Sequence, residues 1–448
     1  MSQTDYQAGL DYGDGSVPKL FFKIFFPTLL GMVFNALLTV VDGIFVGRGV
    51  GPDGIAAVNI IAPLYMVVTG LGLMFGIGAS VVAGVMMSQG DNRRASIAVT
   101  QAAVVSIVIV TVLVGVLLAM PEGVAIMLGC SDALMPHALD YLLWLLPGIF
   151  FLLIECIGMM VVRLDGSPKF AMMCNIIPAV INIGLDYWLV FPMGMGVKGA
   201  ATATSASIAI GAFMVVFYFC GRSYVIKIVW SAIGLWRNMW RQVCVGSSAF
   251  ITEIAMSVMM LTGNYVFMNY YGEAGVAAYS IACYLFPVMF MMSNSVAQSA
   301  QPIISYNYGA GSRQRVSKAF GVSLAVAVTC GIISASCISL GAESIVAMFI
   351  DPDCEAGRLA SAGLPVYALC AVFFAANIAV IGYCQSVEDA WRATLLTLLR
   401  GVIFVVPAFL LLPLTGLWWS IWAAIPVSEA MTLIVIGFMA VFKGFRKG

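Results

Sequence analysis

Charge is what this chain has least of. Asp, Glu, Lys and Arg together make up 9% of its 448 residues, about a third of what a water-facing domain carries. A soluble surface cannot be built from that inventory. Histidine is nearly missing as well: His137 stands alone, so histidine-based metal sites and Ser-His-Asp chemistry are nearly excluded. No two of the 11 cysteines form a CxxC pair and most lie inside apolar runs, which makes them small hydrophobes rather than a disulfide framework. Neither HExxH nor GxSxG occurs, which argues against an intramembrane enzyme. The 21 basic and 21 acidic residues cancel, leaving no basic field for nucleic acid. Residues 1–17 hold Asp5, Asp11 and Asp14 and no Lys or Arg; without a basic leader segment, no cleavable signal peptide is expected.

What the chain has instead is apolar length. Hydrophobic residues make up 62% and the mean hydropathy is +1.03, which describes an all-α integral membrane protein. Apolar runs long enough for a bilayer of about 30 Å recur from Leu20 onward. They predict about twelve transmembrane helices: six over 20–220 (an N-lobe) and six over 240–442 (a C-lobe). Residues 1–19 and 443–448 are expected as cytoplasmic tails. The 221–239 segment, with Arg222, Lys227, Trp230, Trp236 and Arg237, is expected as a cytoplasmic linker, in part an interfacial amphipathic helix.

With the N-terminus inside, 17 basic residues fall on the cytoplasmic side and only Arg48, Lys198 and Arg358 outside. The positive-inside rule then puts both termini in the cytoplasm and requires an even number of spans. The two groups repeat each other at an offset of 221: Gly51, Gly54, Ala57 and Leu64 match Gly272, Gly275, Ala278 and Leu285, Gly90 and Arg94 match Gly311 and Arg315, and Glu122 matches Glu343. Six helices per repeat send both lobes into the membrane in one direction. The expected relation is a pseudo-twofold axis along the membrane normal, a transporter architecture.

Ionisable groups within spans are costly and therefore candidates for function. Asp42 precedes Arg48 by six residues, Asp186 lies about as far from the outer end of its helix, and Thr204 follows Lys198 by six. At 1.5 Å per residue all three sit about 9 Å below the outer interface. Asn182 shares the face of Asp186 one turn earlier. Two carboxylates, an amide and a hydroxyl at one depth suit a small cation, either Na⁺ held by oxygen ligands or a proton taken up by a carboxylate. The alternative is that Asp42 and Asp186 cap helix ends or pair with Arg48 and Lys198.

In the C-lobe, Glu253, Asn377 and Arg400 fall near mid-membrane. Glu253 either pairs with Arg400 or faces a cavity and meets a cationic substrate. Met256, Tyr265 and Phe286 line such a cavity or only pack, since methionine-rich surfaces suit promiscuous binding but also fill cores. Trp418, Trp419 and Trp422 read as an interfacial belt. Pro27, inside the first span, is a static kink or a hinge.

The stretches FPTLLGMVFNALLTVVDGIFVGRGVGPDGIAAVNIIAP, GIGASVVAGVMMSQGDNRRA, RLDGSPKFAM and GVKGAATATSAS resemble the multidrug and toxic compound extrusion (MATE) family, in its bacterial branches, over essentially the whole chain. The resemblance implies a two-lobed exporter in a bacterial inner membrane, working by rocker-switch alternating access as an H⁺- or Na⁺-coupled antiporter of amphipathic, often cationic organic compounds. It implies no cofactor beyond the coupling ion, no partner beyond small-molecule substrates and the lipid bilayer, and a monomer. The family's N-lobe cation site falls on Asp42, Asn182, Asp186 and Thr204, its helix 1 proline on Pro27, and its helix 7 glutamate on Glu253. The helix 10 aspartate of the Na⁺-coupled branch has no counterpart in Tyr367–Asn377, so the resemblance implies coupling through the N-lobe. A flippase of lipid-linked saccharide precursors shares the architecture and would need a basic cavity for phosphate.

Overall fold

The computed structural model describes residues 10–443 other than Gly51, Gly129, Ser131 and Ala133. The first nine residues of the expected N-terminal tail, and Arg446 and Lys447, lie outside the described residues. Among the described residues the regular structure is helical: α1 (Val17–Gly49), α2 (Pro52–Ser88), α3 (Asn92–Ala119), α4 (Pro121–Met127), α5 (Met135–Leu164), α6 (Pro168–Val190), α7 (Val197–Gly221), α8 (Leu235–Gly309), α9 (Arg313–Leu340), α10 (Ala342–Phe349), α11 (Glu355–Ala368), α12 (Cys370–Ser386), α13 (Ala390–Leu398), α14 (Val405–Leu411) and α15 (Ala424–Lys443). Eleven helical segments are long and apolar enough to span a membrane. The 75-residue α8 is two of the expected spans, because Gly272 breaks it at φ 60° and ψ −149°, backbone angles that essentially only glycine adopts. Counted that way, the described residues hold the twelve spans that the hydropathy predicts.

The internal repeat has structural counterparts. Gly90 and Gly311, 221 residues apart, both turn the chain at positive φ, 79° and 72°, just beyond the ends of α2 and α8. The short α4 and α10 likewise correspond, each with a glutamate in its first turn, Glu122 and Glu343.

Two compact units are formed, Met1–Phe250 with Ser305–Ser312 and Ile251–Ile304 with Arg313–Gly448. In the first, α5 packs along α2 and α7, and α6 lies against α1 and α7. Lipid tails give apolar helices little reason to prefer one another, so close backbone approach must hold them. The α5–α7 contact has that character: a Cβ on Gly148 would run into Ser205, and one on Gly158 into Val215. The approach lets Ser205 Oγ donate to the Trp144 carbonyl at 2.6 Å.

The linker differs from expectation over most of its length. Residues 222–234 are irregular, and only the end of the linker, from Leu235 with Trp236 and Arg237, is helical, as the start of α8. Competition for backbone donors explains this. The buried carboxylate of Asp165, just past the end of α5, accepts from the N–H groups of Tyr224, Val225 and Ile226 at 2.7–2.8 Å and from Tyr218 Oη at 2.7 Å. Ser96 and Thr100 on α3 accept from the N–H groups of Lys227 and Val229. Donors drawn to side chains on another helix cannot close helical turns of their own. Before α1, Tyr12 is buried and donates from Oη to the Arg163 carbonyl at 2.7 Å. Burial and the charge of Asp165 push its phenol above the usual range, so it remains a donor.

The second unit has an aromatic core in which Phe267 stacks on Tyr279 and meets Trp422 edge-on, with ring centroids 4.7 and 4.8 Å away. Trp422 is therefore not part of an interfacial belt. It is 3% exposed and seated against Gly363, whereas Trp418 and Trp419 are exposed.

Candidate functional site

Four of the residues singled out by depth are gathered in the first unit. Asp186 and Asn182 are buried on α6, and the Asp42 side chain from α1 lies within hydrogen-bond reach of that of Asp186. With its amide oriented to suit both neighbours, Asn182 donates from Nδ2 to Asp186 Oδ2 at 2.9 Å and accepts on Oδ1 from the Thr204 N–H at 3.2 Å. Thr204 thus joins through its backbone. Asp42 Oδ1 and Asp186 Oδ1 are both buried with no donor. Two carboxyl groups in contact, each with an unsatisfied oxygen, disfavour one another's charged form.

Lys198 pairs at 3.2 Å with Asp140, a surface residue, rather than with Asp42 or Asp186. Sequence reading missed Tyr141 of α5, which is buried within electrostatic reach of both Asp42 and Asp186. A tyrosine near the outer end of an apolar helix resembles any interfacial aromatic residue, so no local signal marked it.

In the second unit the expected pairing of Glu253 with Arg400 is not formed. The Arg400 guanidinium meets Glu429 of α15, with Nη2 to Oε1 at 2.9 Å, and not Glu253. A π-helical turn over Leu399–Ile403, closed by the Phe404 N–H to Leu399 carbonyl bond at 2.9 Å, carries Arg400. Such single-turn insertions reorient a side chain within a helix. Asn377, fully buried on α12, donates to the same carboxylate at 2.7 Å. Glu429 was not singled out in the sequence, although an acid within the last apolar run was the available signal. Glu253 and Phe286 are buried, Met256 is half-buried against the aromatic core, and Tyr265 is 65% exposed, away from that cluster. Pro27 lies inside α1, which continues through it. Among the described residues no group of three or more His, Cys, Asp or Glu forms a metal site.

Among the described residues, twelve membrane spans built from an internal repeat, with a buried carboxyl pair in one half and a buried ion pair in the other, define a multi-pass membrane transporter. A family model described as MatE matches residues 27–188 and 248–410, one segment in each repeat. The chain belongs to the MatE family. It is similar to the multidrug export protein MepA of Staphylococcus aureus (strain MSSA476), 23% identical over 425 residues that cover 93% of each chain. Among solved structures it resembles one described as the outward-facing conformation of a multidrug resistance MATE family transporter of the MOP superfamily, with a TM-score of 0.90 and 20% identity over 97% of this chain and 98% of the other. It also resembles a MOP superfamily transporter from Pyrococcus furiosus, described as having a binding pocket of reverse polarity that suggests a different function, with a TM-score of 0.89 and 20% identity over 98% and 99%. At these identities the structures speak for the fold alone.

Proposed function

We propose that the chain is a proton-coupled multidrug exporter that exchanges inward-moving H⁺ for amphipathic, often cationic organic compounds by alternating access. The carrying observation is the contact between the Asp42 and Asp186 carboxyls. A proton satisfies that contact at once, because one carboxyl then donates to the other. Na⁺ fits less well: Asn182 turns its NH₂ toward Asp186 and its oxygen toward the Thr204 N–H, so the set of Asp42, Asn182, Asp186 and Thr204 offers a cation few oxygens beyond the carboxylates. Antiport requires that proton and substrate favour different states, and neutralising the pair supplies that difference. Pro27 serves as the hinge through which α1 responds to Asp42.

In this reading the protein works as a monomer in a bacterial inner membrane, with both termini in the cytoplasm and no cofactor. The buried cation of the second unit, Arg400, is neutralised by Glu429, which disfavours a flippase that must bind phosphate. The test is Asp42→Asn in proteoliposomes. Ion-driven efflux should fall to the level of empty vesicles while the protein stays folded, and full activity would reject the assignment.

A further inference from the structure

The buried network around Arg400 leaves the side-chain oxygen of Asn377 without a donor. Asn377 Nδ2 donates both to Glu429 Oε2 at 2.7 Å and to the Glu429 carbonyl at 2.9 Å. A carboxylate and a carbonyl only accept, so turning the amide over would lose both bonds. Its Oδ1 is therefore held on the opposite side, where it is buried and has no donor. Native structures rarely leave such an acceptor unpaired without a reason.

The residues that hold the amide are themselves fixed. Arg400 grips the Glu429 carboxylate through Nε at 3.1 and 3.2 Å and through Nη2 at 2.9 Å, and Ser428 Oγ donates to the Arg400 carbonyl at 2.8 Å. The guanidinium lies over the ring of Phe374, 4.4 Å from its centroid. Phe374 precedes Asn377 by one turn of α12, and its ring meets Phe286 and Phe290 of α8 at 5.3 and 6.2 Å. An unpaired acceptor one turn from Phe374, whose ring meets two further rings, is a setting for an organic cation that carries an N–H group.

We propose that Asn377 Oδ1 accepts a hydrogen bond from the N–H of transported organic cations, and that Glu429, clamped by Arg400, is the positioning residue that sets its direction. This rests on the exporter reading and deepens it. Because Arg400 and Glu429 cancel, the site selects by hydrogen bonding rather than by net charge. Asn377 is 0% exposed, so the donor reaches it when the carrier opens.

Two permanently charged probes separate the cases: ethidium, which bears N–H groups, and tetraphenylphosphonium, which has none. Both are followed in proteoliposomes holding the full chain. Asn377→Ala should raise the KM for ethidium about tenfold, the scale of one hydrogen bond to a charged group, and leave the KM for tetraphenylphosphonium and both kcat values unchanged. Glu429→Gln gives the amide a partner that both donates and accepts, so it frees the amide to turn over and should shift ethidium in the same direction. Where that variant fails to fold for want of a partner for Arg400, the double variant Arg400→Gln, Glu429→Gln removes both charges and should show the same selective loss. Equal effects on both probes, or none, would overturn the proposal while leaving the exporter reading standing. A wild-type protein that moves neither probe would overturn both.

Discussion

Asp42 and Asp186 meet carboxyl to carboxyl across α1 and α6, with Asn182 donating to Asp186 at 2.9 Å. The two acids are 144 positions apart in sequence and come together because α6 lies along α1. If the pair shares one proton, the Asn182 amide is what keeps Asp186 turned toward its partner. Asn182→Ala should then lower the efflux rate about tenfold, as expected for losing one hydrogen bond to a charged group, with little change in thermal stability. Efflux assays and melting curves on the same preparation check this.

The Arg400–Glu429 pair carries a stability prediction of its own. Removing one member of a buried ion pair leaves an uncompensated charge and costs about 3–5 kcal/mol, whereas replacing both by apolar residues of similar volume is often close to neutral. Arg400→Met and Glu429→Leu should each lower the melting temperature markedly, and the double variant should recover most of the loss. A double-mutant cycle measures the difference.

At Gly272 the backbone angles of φ 60° and ψ −149° exclude side chains that bear a Cβ. Gly272→Ala should destabilise the second unit by about 1–3 kcal/mol, visible as a lower melting temperature. Alanine at Gly437, where an added Cβ would meet nothing within 4 Å, should change little and serves as the control.

The linker prediction follows from Asp165, whose carboxylate gathers three consecutive backbone N–H groups and a phenol. Asp165→Ala should release residues 223–230 from the first unit. Hydrogen exchange there should speed up by at least tenfold, while exchange in α5 stays unchanged.

Much of the architecture was legible because hydropathy is set by the bilayer itself. Asp42, Asn182 and Asp186 were legible because a charge in an apolar run is conspicuous and helical rise converts spacing into depth. Tyr141 was not, since an aromatic residue near a membrane interface has many uses. The partner of Arg400 was not legible either: depth alone left Glu253 open, and the choice of Glu429 depends on a π-turn that no local pattern announces. Trp422 was misplaced because its neighbours Trp418 and Trp419 are exposed, whereas it packs against Gly363 and Phe267 in the core. The linker looked amphipathic by composition, but Asp165, far away in sequence, claims its donors.

The central claim is that the Asp42–Asp186 pair couples export to protons. Proteoliposomes carrying an internal pH indicator test it directly: a gradient of ethidium is imposed and the internal pH is followed with and without Na⁺. The account predicts proton movement opposite to the drug, equal in both buffers and absent in Asp42→Asn. A pH response that requires Na⁺, or one undiminished in Asp42→Asn, would contradict it.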